Sequence, residues 1–151
     1  MSLDLSTPVS KFMTKTVITA TLDQTIQTVC KIMYENNIGS VVIVKREVDG
    51  FLPIGIITER DITHALGSVE IFPTQTPLRE LMSTNVISIK PDSSIHDAVA
   101  IMHGNNIRRL PVINDDGKMV GIITDKHILG AIAGKNPNAT AFMAKEFQTE
   151  E

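Results

Sequence analysis

Between Ile26 and Met33 the apolar residues Ile26, Val29, Cys30 and Met33 recur at spacings of three, four and seven, which lines them along one face of an α-helix. The same spacing returns at Ile95, Ala98, Val99 and Met102. Each run closes on Asn-Asn-Ile and follows an aspartate, Asp23 or Asp92, suited to cap a helix. Short β-branched runs flank the helices. Val17-Ile18-Thr19 and Val86-Ile87-Ser88 precede them, and Val41 to Val44, Pro53 to Ile57, Leu110 to Ile113 and Met119 to Ile123 follow as strands. Asp49-Gly50 and Asp116-Gly117 are hairpin signals between the later strands. A further helix follows each Gly-Ile-Ile-Thr, ending near Leu66 or Ala133. The predicted order is strand, helix, strand, strand, helix, and it occurs twice.

The recurrence is a duplication in the residues themselves. Val17 to Ile38 lies over Val86 to Ile107 without a gap and with nine identities in 22 positions, where average composition predicts roughly one or two. After three extra residues in the first copy's loop, the Gly-Ile-Ile-Thr tetrapeptides also align. A lead segment stands before each copy, Val9 to Met13 and Leu78 to Met82. The reading is a first repeat over 9–66, a linker over 67–76, a second repeat over 77–133 and a tail over 134–151. In the tail, Ala141, Phe142 and Ala144 fit a short helix after Pro137.

Composition narrows the classes. With 151 residues, 42% of them hydrophobic, the chain suffices for one compact domain or two half-domains sharing a core. No apolar run reaches the roughly 20 residues that span a bilayer, and the N-terminus lacks a signal-peptide pattern. A soluble, cytoplasmic protein without a membrane partner is expected. The net charge of −3, with no Trp and one Tyr, argues against a nucleic-acid binder, and no DNA partner is expected. Cys30 is the only cysteine, which excludes an intrachain disulfide, and its apolar neighbours suit a buried small hydrophobe.

Both copies, across roughly residues 9 to 133, resemble a tandem pair of cystathionine-β-synthase-type (CBS) domains. The resemblance rests on the βαββα order, the Asn-Ile helix ends, "RRLPVIND" and the two hydrophobic-Thr-x-x-x turns. It implies an α/β fold in which two repeats pack about a pseudo-twofold axis, with adenosyl compounds bound in two clefts. It also implies face-to-face assembly into a homodimer and signalling to a protein target that the sequence does not identify.

The repeated turns are "GIITERD" (Gly55 to Asp61) and "GIITDKH" (Gly121 to His127). A Thr at a helix start places a hydroxyl and backbone N–H groups where an anion is favoured. By resemblance Thr58 meets phosphate and Asp61 ribose, with Val17 and Ile18 beside them and Ile107, Arg108 and Arg109 facing them. The same correspondence gives a second, weaker site from Val86, Ile87, Thr124, His127, Gly39 and Ser40, lacking both the carboxylate and the arginines. The bland alternatives stay open: Thr58 as an N-cap, Asp61 as a first-turn charge, and the arginines as a solvated helix end.

Catalysis finds little support. His64, His96, His103 and His127 have no metal-ligand spacing, and neither a P-loop nor G-x-S-x-G occurs. The expectation is a non-catalytic sensor needing no cofactor, with AMP, ADP or ATP as ligand and S-adenosylmethionine or a dinucleotide as further candidates. A ligand-free dimerisation or interaction module is the alternative.

Overall fold

The computed structural model describes residues 4–68 and 70–133; the tail, with its expected helix, lies outside the described residues. The elements follow the predicted order. In the first copy β1 (Thr19–Ala20), α1 (Ile26–Asn36), β2 (Ser40–Glu47), β3 (Gly50–Thr58) and α2 (Glu59–Ser68) succeed one another. The second copy supplies α3 (Ile95–Asn105), β4 (Arg109–Ile113), β5 (Met119–Thr124) and α4 (Asp125–Ala133).

β2 and β3 form an antiparallel hairpin in which Glu47 pairs Gly50 and Ser40 pairs Thr58. The tight turn places Gly50 at φ 140, a conformation that favours glycine. In the second hairpin Arg109 pairs Thr124, and Gly117 takes φ 78. There the Asn114 side-chain oxygen accepts from the Asp116 and Lys118 N–H groups at 3.0 and 2.9 Å. The four consecutive residues Val41 to Val44 are all buried, so both faces of β2 are covered.

Three local expectations shift. The first strand lies at Thr19–Ala20, parallel to β2, and not at Val17 to Thr19. In the second copy it shrinks to a single bridge, Ile89 to Val112. Pro111 occupies the position of Val42 and has no N–H to donate, so only its carbonyl joins the ladder, accepting from Ile89 N–H at 3.0 Å. The helix caps are Thr25 and Ser94, not Asp23 and Asp92. Thr25 Oγ1 accepts from Thr28 N–H at 3.1 Å, and Ser94 Oγ from Asp97 N–H at 3.1 Å. The Asp23 carboxylate instead accepts from the Thr21 hydroxyl, which holds it below the usual carboxylate range. Finally, the helix face is narrower than the spacing implied. Ile26, Val29 and Met33 are buried, whereas Cys30 is half-buried and Val99 exposed. Burial raises the Cys30 thiol pKa, which disfavours its nucleophilic form. Both first helices end as read, with Asn37 and Asn106 left-handed at φ 51 and φ 53.

The chain packs as two units, and these cut across the sequence repeats. Among the described residues, one holds those between Ile18 and Val86, and the other holds those up to Val17 together with those from Ile87 to Ala133. In the first, Ala20, Ile26, Val29, Met33, Val41, Ile43 and Ile57 form a core that also takes in Leu78 from the lead segment of the second copy. In the other, Ile95, Ala98, Met102, Leu110, Val112, Ile123 and Ile128 bury Val9 from the lead segment of the first copy. Each copy is thus completed by the segment that precedes the other. The exchange is pinned by backbone pairs. Thr14 and Ile122 exchange N–H and C=O at 2.9 Å in both directions, as do Ser83 and Ile56. A Cβ on Gly55 would lie 2.6 Å from Met82 Sδ, and one on Gly121 would lie 2.7 Å from Met13 Sδ and 2.9 Å from the Thr14 carbonyl oxygen. The glycine of Gly-Ile-Ile-Thr therefore serves the approach of the lead segment.

Candidate functional site

In the unit of the first repeat, the β2–β3 register brings Ser40 beside Thr58, and Glu59 N–H donates to the Gly39 carbonyl at 3.0 Å. Thr58 N–H donates to Asp61 Oδ2 at 2.9 Å, and Asp61 N–H donates to Thr58 Oγ1 at 3.1 Å. The two side chains form a reciprocal capping box at the start of α2. Asp61 is half-buried, as is Thr58. The cap reading of this turn is therefore realised. It leaves fewer first-turn N–H groups for an anion than an uncapped helix end would.

The second repeat builds the same turn with a different acceptor. Thr124 N–H donates to His127 Nδ1 at 3.3 Å, and His127 N–H donates to Thr124 Oγ1 at 3.2 Å. His127 Nε2 also lies 3.0 Å from Thr14 Oγ1. Because a backbone N–H can only donate, Nδ1 accepts, and the neutral ring carries its proton on Nε2 and donates to Thr14. Burial lowers the His127 pKa, the Arg109 guanidinium lowers it further, and Asp125 opposes both. Thr124 is only 6% exposed, so its hydroxyl is less accessible than that of Thr58.

The arginines lie in this second unit. Arg109 pairs Thr124 across the hairpin, and Asp125 N–H donates to the Arg108 carbonyl at 2.9 Å. Burial holds the Arg109 guanidinium below the ordinary arginine value, partly offset by Asp125. Arg108 is exposed. Ile107 follows left-handed Asn106 and packs against the second core. Val17, Ile18, Val86 and Ile87 are all half-buried, and they stand where the chain passes from one unit to the other.

The structure thus gathers Thr58, Asp61, Gly39 and Ser40 in one unit, and Thr124, His127, Arg108 and Arg109 in the other. Sequence reasoning missed Thr14 and Asp125. Thr14 and Ser83 stand three residues before Val17 and Val86, but nothing in the order of residues pairs Thr14 with His127. Among the described residues, no group of three or more His, Cys, Asp or Glu is placed to hold a metal ion. Among the same residues, no helix is long and apolar enough to cross a membrane.

Comparison with known proteins gives a consistent picture. The family profile of the CBS domain matches residues 9–68 and 78–134. An uncharacterized protein of Methanopyrus kandleri, MK0525, is 39% identical over 124 residues, covering 82% of this chain and 62% of that protein; the chain spans less than two thirds of that relative. The CBS domain-containing protein YhcV of Bacillus subtilis is 39% identical over 114 residues, 74% of this chain and 75% of that one. Among solved structures, the CBS domain pair of protein MJ0100, in complex with 5′-methylthioadenosine and S-adenosyl-L-methionine, superposes with a TM-score of 0.72. It is 32% identical and covers 86% of this chain and 98% of that one.

Proposed function

The chain belongs to the CBS-domain family, and from that premise we propose that it is a non-catalytic, cytoplasmic regulatory module that binds an adenosine-containing ligand. The observation that carries this reading is its likeness to the MJ0100 domain pair, which is described with two adenosyl compounds. Thr58 and Asp61 are the ligand contacts of the stronger site, phosphate or its equivalent at the Thr hydroxyl and the ribose diol at the Asp61 carboxylate. Arg108 and Arg109 add cationic contacts for phosphate. The Thr124 and His127 turn is the weaker site, since its acceptor is a ring already engaged on both nitrogens. Occupancy shifts the equilibrium between conformations by the ligand's difference in affinity for them, and a partner protein reads that shift.

Titration calorimetry with AMP, ADP, ATP, S-adenosylmethionine and 5′-methylthioadenosine tests the reading. At least one should bind the wild type, and Asp61→Ala should weaken it by roughly ten- to a hundredfold, the worth of a charge-assisted hydrogen bond. Asp61→Asn keeps an oxygen for the Thr58 N–H and separates loss of charge from loss of the cap. Arg109→Ala, expected to weaken phosphate-bearing ligands most, decides whether the guanidinium joins the same ligand. A wild type that binds none of the five, yet sediments as a homodimer at twice 16.5 kDa, belongs to the interaction-module alternative.

A further inference from the structure

Thr14 and His127 stand 113 positions apart and meet in one packed unit. The ring adds a side-chain bridge between the start of α4, through Nδ1 and the Thr124 N–H, and the lead segment, through Nε2 and the Thr14 hydroxyl, two parts that already share the second core through Val9 and Ile128. The turn of the first repeat has no such bridge. At the position matching Thr14 stands Ser83, whose Oγ accepts from the Asn85 N–H at 3.3 Å, and Asp61 makes its bonds within its own turn. Replacing Asp by His thus keeps the cap and adds an arm that a carboxylate is too short to extend.

We infer that His127 is a proton-sensitive latch, fastening the end of the N-terminal lead segment at Thr14 to the second repeat in its neutral Nε2–H form and loosening it there when Nδ1 is protonated. Protonation turns Nδ1 from acceptor to donor, directly against the Thr124 N–H, so the ring must leave the cap and its arm to Thr14 leaves with it. The charges around the ring are few. Arg109 on β4 opposes protonation and Asp125 on α4 favours it; Lys126 adjoins His127 and Lys15 adjoins Thr14 in the chain, and the groups bonded to the ring, the Thr124 N–H and the Thr14 hydroxyl, are uncharged. Three residues beyond Thr14 the chain reaches Val17 and passes into the other unit, so the latch governs the segment that joins the two. It does not depend on which ligand the protein binds.

Amide hydrogen exchange on the intact protein reads the latch, with the Thr14 N–H, bonded to the Ile122 carbonyl, as reporter. After correction for intrinsic exchange, its protection should fall roughly tenfold between about pH 7.5 and about pH 5, while that of Ser83 stays level. His127→Asp restores the carboxylate cap seen at Asp61 and removes the arm. It should fold, and its Thr14 protection should be low and independent of pH over the same interval. Ring nitrogen shifts should place the proton of neutral His127 on Nε2. Equal pH dependence in wild type and His127→Asp, constant protection in the wild type, or a proton found on Nδ1 would each overturn the latch.

Discussion

The turns at Thr58 and at Thr124 have the same backbone pattern and different acceptors. In the first, a carboxylate takes the Thr58 N–H at 2.9 Å; in the second, an imidazole nitrogen takes the Thr124 N–H at 3.3 Å. A carboxylate caps in its ionised form across the whole neutral range, whereas an imidazole caps only when neutral and only as one tautomer. The carboxylate keeps its charge and makes its bonds within its own turn. The imidazole gives up that charge and gains Thr14. Arg109 fits the second arrangement from the other side, because a cation beside the ring favours the neutral form that the cap needs. On the proposed reading, one duplicated motif is divided between a turn that offers a carboxylate and a turn that fastens Thr14.

The largest expected effect concerns the glycine that both turns share. Gly121→Ala puts a methyl 2.9 Å from the Thr14 carbonyl oxygen, a backbone atom held by the Ile122 N–H, as well as 2.7 Å from Met13 Sδ. For Gly55→Ala the three nearest atoms all belong to the Met82 side chain, with Sδ at 2.6 Å, and a thioether can rotate away. Loss of about 2–3 kcal/mol is expected for Gly121→Ala and about 1 kcal/mol or less for Gly55→Ala. Urea midpoints at unchanged slope measure both. Equal losses would mean that the two lead segments are held alike and that the contact through Thr14 adds nothing.

Next in size is the contrast between the two acceptors. Asp61→Ala and His127→Ala each remove the return bond of a capping box, about 0.5–1.5 kcal/mol, and His127→Ala also removes the bond to Thr14, adding about as much again. At about pH 7.5 His127→Ala should therefore be the costlier change. The folded-state pKa of His127 is depressed below 6.5, so the unfolded chain binds the proton more readily. The contribution of His127 is complete above 6.5 and is lost as pH falls through the folded value. The cost of His127→Ala should shrink on acidification. A cost for His127→Ala that is unchanged down to about pH 5 would remove the protonation argument from the comparison.

Much of this was legible from residue order. The duplication, the three-four-seven spacings, the Asn-Asn helix ends and the Asp-Gly hairpins each rest on local chemistry, and local chemistry is written contiguously. The caps were legible too and were misjudged. The residue directly before the first buried isoleucine, Thr25 or Ser94, does the capping, while the aspartates lie two positions further out. The shortened strand of the second copy was hidden because Pro111 acts on its neighbour Ile89 and not on its own segment. The exchange of lead segments was out of reach for a deeper reason. Apolar residues such as Val9 and Leu78 announce that they will be buried, but not in which of two near-identical cores. Thr14 was invisible on the same account, since its partner lies in the copy it does not precede. For the turns, the residues that cap one another, Thr58 with Asp61 and Thr124 with His127, are ones that the sequence singles out, and residue order left open whether they cap or bind.

The smallest expected effect serves as the baseline. If the asymmetry belongs to the turns, the rest of the two copies should respond alike, and the N-caps of α1 and α3 are a fair sample because they are remote from both turns in sequence. Thr25 caps through the Thr28 N–H, and its hydroxyl lies 3.0 Å from that of Thr28. Ser94 caps through the Asp97 N–H, and Asp97 returns the bond to the Ser94 N–H at a long 3.4 Å. The return bond is weak at that length, so it should separate the two caps only slightly. Thr25→Ala and Ser94→Ala should each cost about 1 kcal/mol, with Ser94→Ala the larger by a few tenths. The Thr25 cap contains no imidazole, whereas His96 Nδ1 lies 3.9 Å from the Asp97 carboxylate of the Ser94 capping box, so the two costs are compared at one pH, about 7.5. A difference between them of about 1 kcal/mol or more would show that the copies diverge throughout, and the contrast at His127 would then be one instance of a general drift and not a division of labour.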